Sequence, residues 1–196
     1  MLELTVSLDS FIFPDVIIPT SLLLSVTSFF FLAAIFGDAL FVRFDLKTFI
    51  KFLGFLILGI SVILSSWMMS VGFVLIFVGF IIDPLSKAKF ILPLPIVFFP
   101  FLTDHILFFV LSLITTVAVF QLAYVTKHQD FIPLGVGFTL ISVGEYFYHL
   151  ENVEQLKQLA LAGSFLYLFA SLVLLGWGWS YLVLRFKNKF KPDQTE

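Results

Sequence analysis

The sequence predicts an all-α integral membrane protein, a bundle of seven transmembrane helices with six as the alternative count. Three observations lead there. The chain is 60% hydrophobic and 12% charged with a mean hydropathy of +1.10, where soluble domains run at about 45–50% apolar and about 25% charged. A chain of 196 residues has too small an interior to hide that surplus, so lipid must solvate much of its surface. Its apolar runs reach the roughly 20 residues that a helix needs to cross about 30 Å of hydrocarbon, and its basic residues cluster by segment.

Residues 1–16 carry Glu3, Asp9 and Asp15 without a basic residue. They lack the positive start of a signal peptide, so the first apolar segment is expected to be retained. Residues 17–42, 106–125, 131–150 and 156–184 each read as one span. Residues 48–85 are too long for one crossing and break most naturally at Ser65-Ser66-Trp67 into two helices joined by a tight turn. Asp83, before Pro84, is expected to end the third helix. Residues 90–102, FILPLPIVFFPFL, are apolar but short and carry Pro93, Pro95 and Pro100. Proline removes backbone donors, so the segment reads as a broken span, a re-entrant stretch or an interfacial piece.

Charge decides between six and seven. If residues 90–102 cross, the amino terminus is outside, and Arg43, Lys47, Lys51, Lys87, Lys89, Lys127 and the tail RFKNKFK all fall inside, leaving Lys157 outside. If they do not, the Arg43–Lys51 loop and the tail fall on opposite sides, against the positive-inside rule. The layout is then an external segment 1–16, a three-helix unit 17–85, a Pro-rich linker 86–103, a second three-helix unit 104–184 and a basic cytoplasmic tail 185–196. An internal echo fits this 3+1+3 arrangement. FIKFLGFLILGISV (49–62) and FIPLGVGFTLISV (131–143) share Phe-Ile, Gly-Phe and Ile-Ser-Val in order, as a parallel repeat would.

Small residues mark the faces on which membrane helices approach one another: Gly54, Ser61 and Ser65; Gly137 and Gly144; Ser164, Ser171 and Gly178. Trp67, Trp177, Trp179, Tyr146, Tyr148 and Tyr181 fall near helix ends, where amphipathic rings belong. The 28 Phe are read mostly as lipid-facing bulk.

Ionisable groups within spans are costly and mark candidate sites. Asp104 and His105 open one helix, with Ser112 and Thr116 on the His105 face. Ser142, Glu145 and His149, spaced by three and four, share a face of the next. The two helices are antiparallel neighbours, so His105 and His149 lie on one membrane side. These seven residues form a candidate ligand or proton site, and His105, Glu145 and His149 have donors suited to a metal. Structural hydrogen bonding explains the same pattern. Asp38 is expected to pair with Arg43 at the inner interface, and His128 to be solvated.

Net charge is −2, which offers no field for nucleic acid. Without Cys there is no disulfide, thiolate site or Cys nucleophile. GxSxG, HExxH, GxxxxGK[ST], Rossmann and CxxCH patterns are absent, and no mid-helix Lys suits a retinal Schiff base in the last span, so enzyme activity has little support and no cofactor is indicated. In LGFLILGIS (53–61), GVGFTLISVGEYFYHL (135–150), the basic first inner loop and the last helix running into a basic tail, the chain resembles the seven-helix membrane sensor regions of microbial histidine kinases. No kinase domain accompanies these residues. The resemblance therefore implies a receptor-like sensor, or an accessory subunit, acting through a separate protein partner in the membrane or at the tail. A small transporter with the 3+1+3 layout and a metal- or haem-binding redox protein are the alternatives.

Overall fold

The structure is a computed structural model that describes residues 6–64, 66–82, 104–154 and 157–189. The Pro-rich stretch 90–102, Ser65, Asp83, the side chain of Asp104 and the end of the tail lie outside the described residues. All the described elements are helical: α1 (Val6–Val42), α2 (Leu46–Leu64), α3 (Ser66–Ile81), α4 (Asp104–Thr126), α5 (Ile132–Glu154) and α6 (Lys157–Lys189), with a 3-10 turn, Gln129–Phe131, before α5. Five are long and apolar enough to cross a membrane, over Val16–Val42, Leu46–Leu64, His105–Thr126, Gln129–Glu154 and Gln158–Lys187, and the apolar stretch Trp67–Ile81 of α3 is shorter. The fold is thus that of a multi-pass helical membrane protein.

The helices close a ring in chain order, each packed on the next and α6 packed back on α1. Directions follow from the contacts. In the first hairpins Gly37 lies against Phe52, Gly59 against Phe30, Gly54 against Ile76 and Gly79 against Lys51, so α1, α2 and α3 alternate. In the last two, Gly135 lies against Phe120, Gly137 against Leu174 and Gly144 against Tyr167, so α4, α5 and α6 alternate as well. Between α1 and α6 the order of contacts is the same along both helices. Ser25 Oγ is 3.1 Å from Ser171 Oγ, Ile35 meets Gly178 and Asp38 meets Arg185. These two helices run parallel, and so do α3 and α4, both of which start at the end where α1 starts.

Gly54, Gly137, Gly144 and Gly178, expected at contacts, sit at them because only a missing side chain allows these approaches. A Cβ on Gly54 would lie 2.6 Å from Ile76 Cγ1, and one on Gly137 would lie 2.5 Å from Leu174 Cδ2. Such proximity replaces the hydrophobic drive that lipid denies to helix association.

Phenylalanine does more than face lipid. Phe29, Phe55, Phe73, Phe77, Phe80 and Phe138 are fully buried. Phe36 stacks on Phe55 at 5.4 Å, Phe55 meets Phe138 at 6.1 Å, and Phe80 meets Phe131 edge-on at 6.4 Å. Together with Trp177, which stacks on Phe36, these rings fill the half of the bundle towards the start of α2. Trp177 is accordingly buried rather than part of a belt, and its Nε1 donates to the Asp130 carbonyl. Trp67 and Trp179, both 66% exposed, do sit as belt residues should.

The ion pair expected between Asp38 and Arg43 is replaced by one between Asp38 and Arg185. Arg43 lies past the end of α1, while the parallel packing of α6 on α1 delivers Arg185 to Asp38. Lys51, read as an inner-surface charge, is buried. Its stem lies on Gly79 and its ammonium is 4.2 Å from the Phe80 ring centroid.

Three outcomes are expected. In this cysteine-free chain, Ser25→Cys combined with Ser171→Cys forms an intramolecular disulfide on oxidation, read as a mobility shift on a non-reducing gel. Gly54→Val lowers the melting temperature in detergent by the equivalent of about 1–3 kcal/mol. Gly176→Ala, which meets nothing within 4 Å, leaves it unchanged or raises it by up to about 1 kcal/mol.

Candidate functional site

At the end opposite the aromatic filling, all six described helices line a cavity of about 490 Å³. Ser21 and Ser25 of α1, Ser61 to Leu64 of α2, Met69 of α3, His105 and Phe108 of α4, Glu145 and Tyr148 of α5 and Tyr167 of α6 line it. The lining is mainly aliphatic and aromatic, with a few polar groups converging on one wall, and the volume lies in the range of about 300–1,000 Å³ typical of small-molecule sites.

Glu145 organises that wall. Its side chain is 3% exposed, and His105 Nδ1 lies 2.8 Å from Oε2. The Tyr167 hydroxyl donates to the other oxygen, Oε1. Each carboxyl oxygen therefore has a partner from a different helix, α4 on one side and α6 on the other, which is what burial of such a group requires. His105 is half-buried at the mouth, its ring 5.6 Å from that of Tyr148 and 6.1 Å, edge-on, from that of Phe108. Tyr148 is itself fixed. Ser164 Oγ donates to the Ala160 carbonyl at 3.0 Å, so its 2.8 Å contact with Tyr148 has the tyrosine as donor. Tyr148 and Tyr167 lie 5.9 Å apart.

The structure divides the candidate residues. His105 and Glu145 are brought into contact on the cavity wall. Ser112, Thr116 and Ser142 are buried but donate into their own helices, to the carbonyls of Phe108, Ser112 and Phe138 at 2.7, 3.0 and 2.8 Å. That intrahelical bonding satisfies the hydroxyls without a ligand. Asp104 begins α4. His149 is half-buried, and the ring that lies against His105 belongs to Tyr148, one position earlier on α5. Among the described residues no three His, Asp or Glu side chains cluster as metal ligands would, so His149 does not join His105 and Glu145 in a triad. His128 is exposed, as expected.

Tyr167, Tyr148 and the hydroxyls of Ser21, Ser25 and Ser61 are the site residues that sequence reasoning passed over. A signal for Tyr167 existed. It stands between Ser164 and Ser171 at helical spacing on the face already identified as a contact stripe. A tyrosine on such a face brings a hydroxyl that needs a buried partner. The serines of α1 gave none, since hydroxyls that bond their own helix are common in membrane spans.

This is a polytopic helical membrane protein with a ligand-sized cavity and a hydrogen-bonded acid in its wall. Comparison of the chain with protein-family models, with curated proteins and with solved structures finds no match, and function is therefore read from its own residues.

Tyr167→Phe is expected to lower stability by about 1–3 kcal/mol, because a buried carboxyl oxygen loses its donor. His128→Ala, in the exposed turn, should stay within about 0.5 kcal/mol of the parent. Thermal unfolding in detergent compares the two.

Proposed function

We propose that the protein is a receptor-like membrane protein, a sensor or accessory subunit, that binds a small molecule in the cavity walled by Glu145. The observation that carries this is the asymmetry of the bundle. At the ring-filled end each pocket draws on no more than two helices, while the other end holds a cavity to which all six described helices contribute. A bound molecule there touches both three-helix units at once and so can shift their packing, which a receptor requires. The likeness to kinase sensor regions supports the same reading and brings with it a protein partner at residues 185–191 or within the membrane. A partner that copurifies with the full chain, and is lost from a chain altered at Arg185 and Lys187, is the corresponding expectation.

In this reading the chain spans the membrane seven times, with the cavity and the amino terminus outside and the tail in the cytoplasm. Ile82 and Asp104 lie at opposite ends of the bundle, since α3 and α4 run parallel. The seventh crossing is assigned to residues 90–102, a strongly apolar stretch of the sequence between them. Charge supports the orientation. Arg43, Lys47, Lys51, Lys127, Arg185 and Lys187 gather at the end away from the cavity, and Lys157 is at the cavity end.

A transporter with the 3+1+3 layout is favoured by a separate observation. The shift in numbering that carries Gly54 to Gly137 and Phe55 to Phe138 also carries the Gly37–Phe52 contact to Phe120–Gly135, with large and small partners exchanged. Phe55 and Phe138 meet ring to ring, as equivalent residues do beside a two-fold axis. These contacts support two three-helix units of one orientation, with the cavity between them. The redox alternative draws no support, for want of a third ligand beside His105 and Glu145 among the described residues.

Both the site and the orientation are tested by single cysteines and a membrane-impermeant thiol reagent on intact cells. Ser61→Cys, on the cavity wall, and Val153→Cys are expected to label from outside. Ser70→Cys, equally buried but in packed interior, and Lys187→Cys should label only after the membrane or the fold is opened. Protection of Ser61→Cys to the level of Ser70→Cys would sink the reading of an open external cavity.

A further inference from the structure

We infer that the ligand of this cavity is an organic cation, an amine or quaternary ammonium on an apolar body. The inference rests on the cavity being a ligand site, as proposed above, and adds the sign and shape of what enters it. Among the described lining residues there is one acid, Glu145, and no Lys or Arg. The Tyr167 hydroxyl donates to one oxygen, and His105 Nδ1 lies 2.8 Å from the other. Each oxygen keeps a further lone-pair direction for a charged donor.

The surroundings suit a cation better than any other polar group. Tyr148, Tyr167 and Phe108 line the cavity with the carboxyl, the ring centroids of the two tyrosines 5.9 Å apart. Ring faces attract ammonium groups, and such attraction strengthens where water is excluded. An anion would meet the buried acid and these negative faces. A neutral apolar molecule would leave the acid's outward lone pairs without water or donor. The opposite wall, Ile18, Leu22, Val62 and Leu64, is aliphatic and fits the body of an amphiphile. Its three serines, Ser21, Ser25 and Ser61, donate to their own helices, so they offer weak acceptors and no competing charge.

The test uses the full chain in detergent and two ions of matched size and opposite charge, tetraphenylphosphonium and tetraphenylborate, measured by equilibrium dialysis. Saturable binding of the cation with none of the anion is expected. Glu145→Gln should weaken cation binding roughly thirtyfold or more, the loss found when one member of a buried charge pair is removed. If Glu145→Gln does not fold, Ile63→Lys, on the exposed rim of the cavity, serves instead by repelling the cation and admitting the anion. Equal binding of both ions, cation binding unaffected by these changes, or no saturable binding of the cation overturns the inference. Labelling of Ser61→Cys separates the two claims: if it labels and the cation does not bind, the cavity stands and its charge preference falls.

Discussion

The close approach of helices at glycine is the constraint on which the rest of this bundle depends. In a bilayer, apolar side chains gain little by turning from lipid towards each other, so association rests on contact distance and shape. Gly54, Gly72 and Gly79 bring α2 and α3 together, and Gly137, Gly144 and Gly163 do the same for α5 and α6. These hairpins bring Phe138 of one unit against both Phe55 and Phe73 of the other. The cavity is what remains at the other end.

Polar groups are placed by the same geometry. Glu145 lies one position past Gly144, where α6 approaches closely enough for Tyr167 to reach it. His105 reaches it from α4 because α4 and α5 are antiparallel and joined by a short turn. An acid in this position with fewer partners would be among the most destabilising features a membrane span can carry. With them it becomes a fixed polar wall, which is the condition for recognising a ligand by direction as well as by hydrophobicity.

Much of the fold was legible in the sequence. Hydropathy gave the described spans to within a few residues over most of their length, and the break at Ser65-Ser66-Trp67 falls where α2 gives way to α3. Gly54, Gly137, Gly144, Ser164, Ser171 and Gly178 of the small-residue stripes mark true contacts, while Ser61 lines the cavity. What escaped was information held between helices distant in the chain. Asp38 was assigned to Arg43 because Arg43 is near in sequence. Its partner, Arg185, becomes a neighbour only once α6 packs parallel to α1. Trp177 was read as a belt residue from its place near a helix end, and the buried Phe residues as lipid-facing because periodicity is faint when every face of a helix is apolar. Of the candidate site, the His105–Glu145 pair was readable from the antiparallel order of two consecutive helices. Tyr167, on a third, left only the weaker signal of its place between Ser164 and Ser171, which does not say which acid its hydroxyl meets.

The seating of Lys51 on Gly79 has a consequence for how this chain can change over time. The lysine stem occupies the volume that a side chain at position 79 would need, so a Cβ there would lie 2.7 Å from Lys51 Cγ. The two positions share one space between α2 and α3. A lineage that enlarged residue 79 would have to shorten residue 51 in step or spread the hairpin. Related chains are therefore expected to show these positions varying as a pair, with a bulky residue at one only where the other is small.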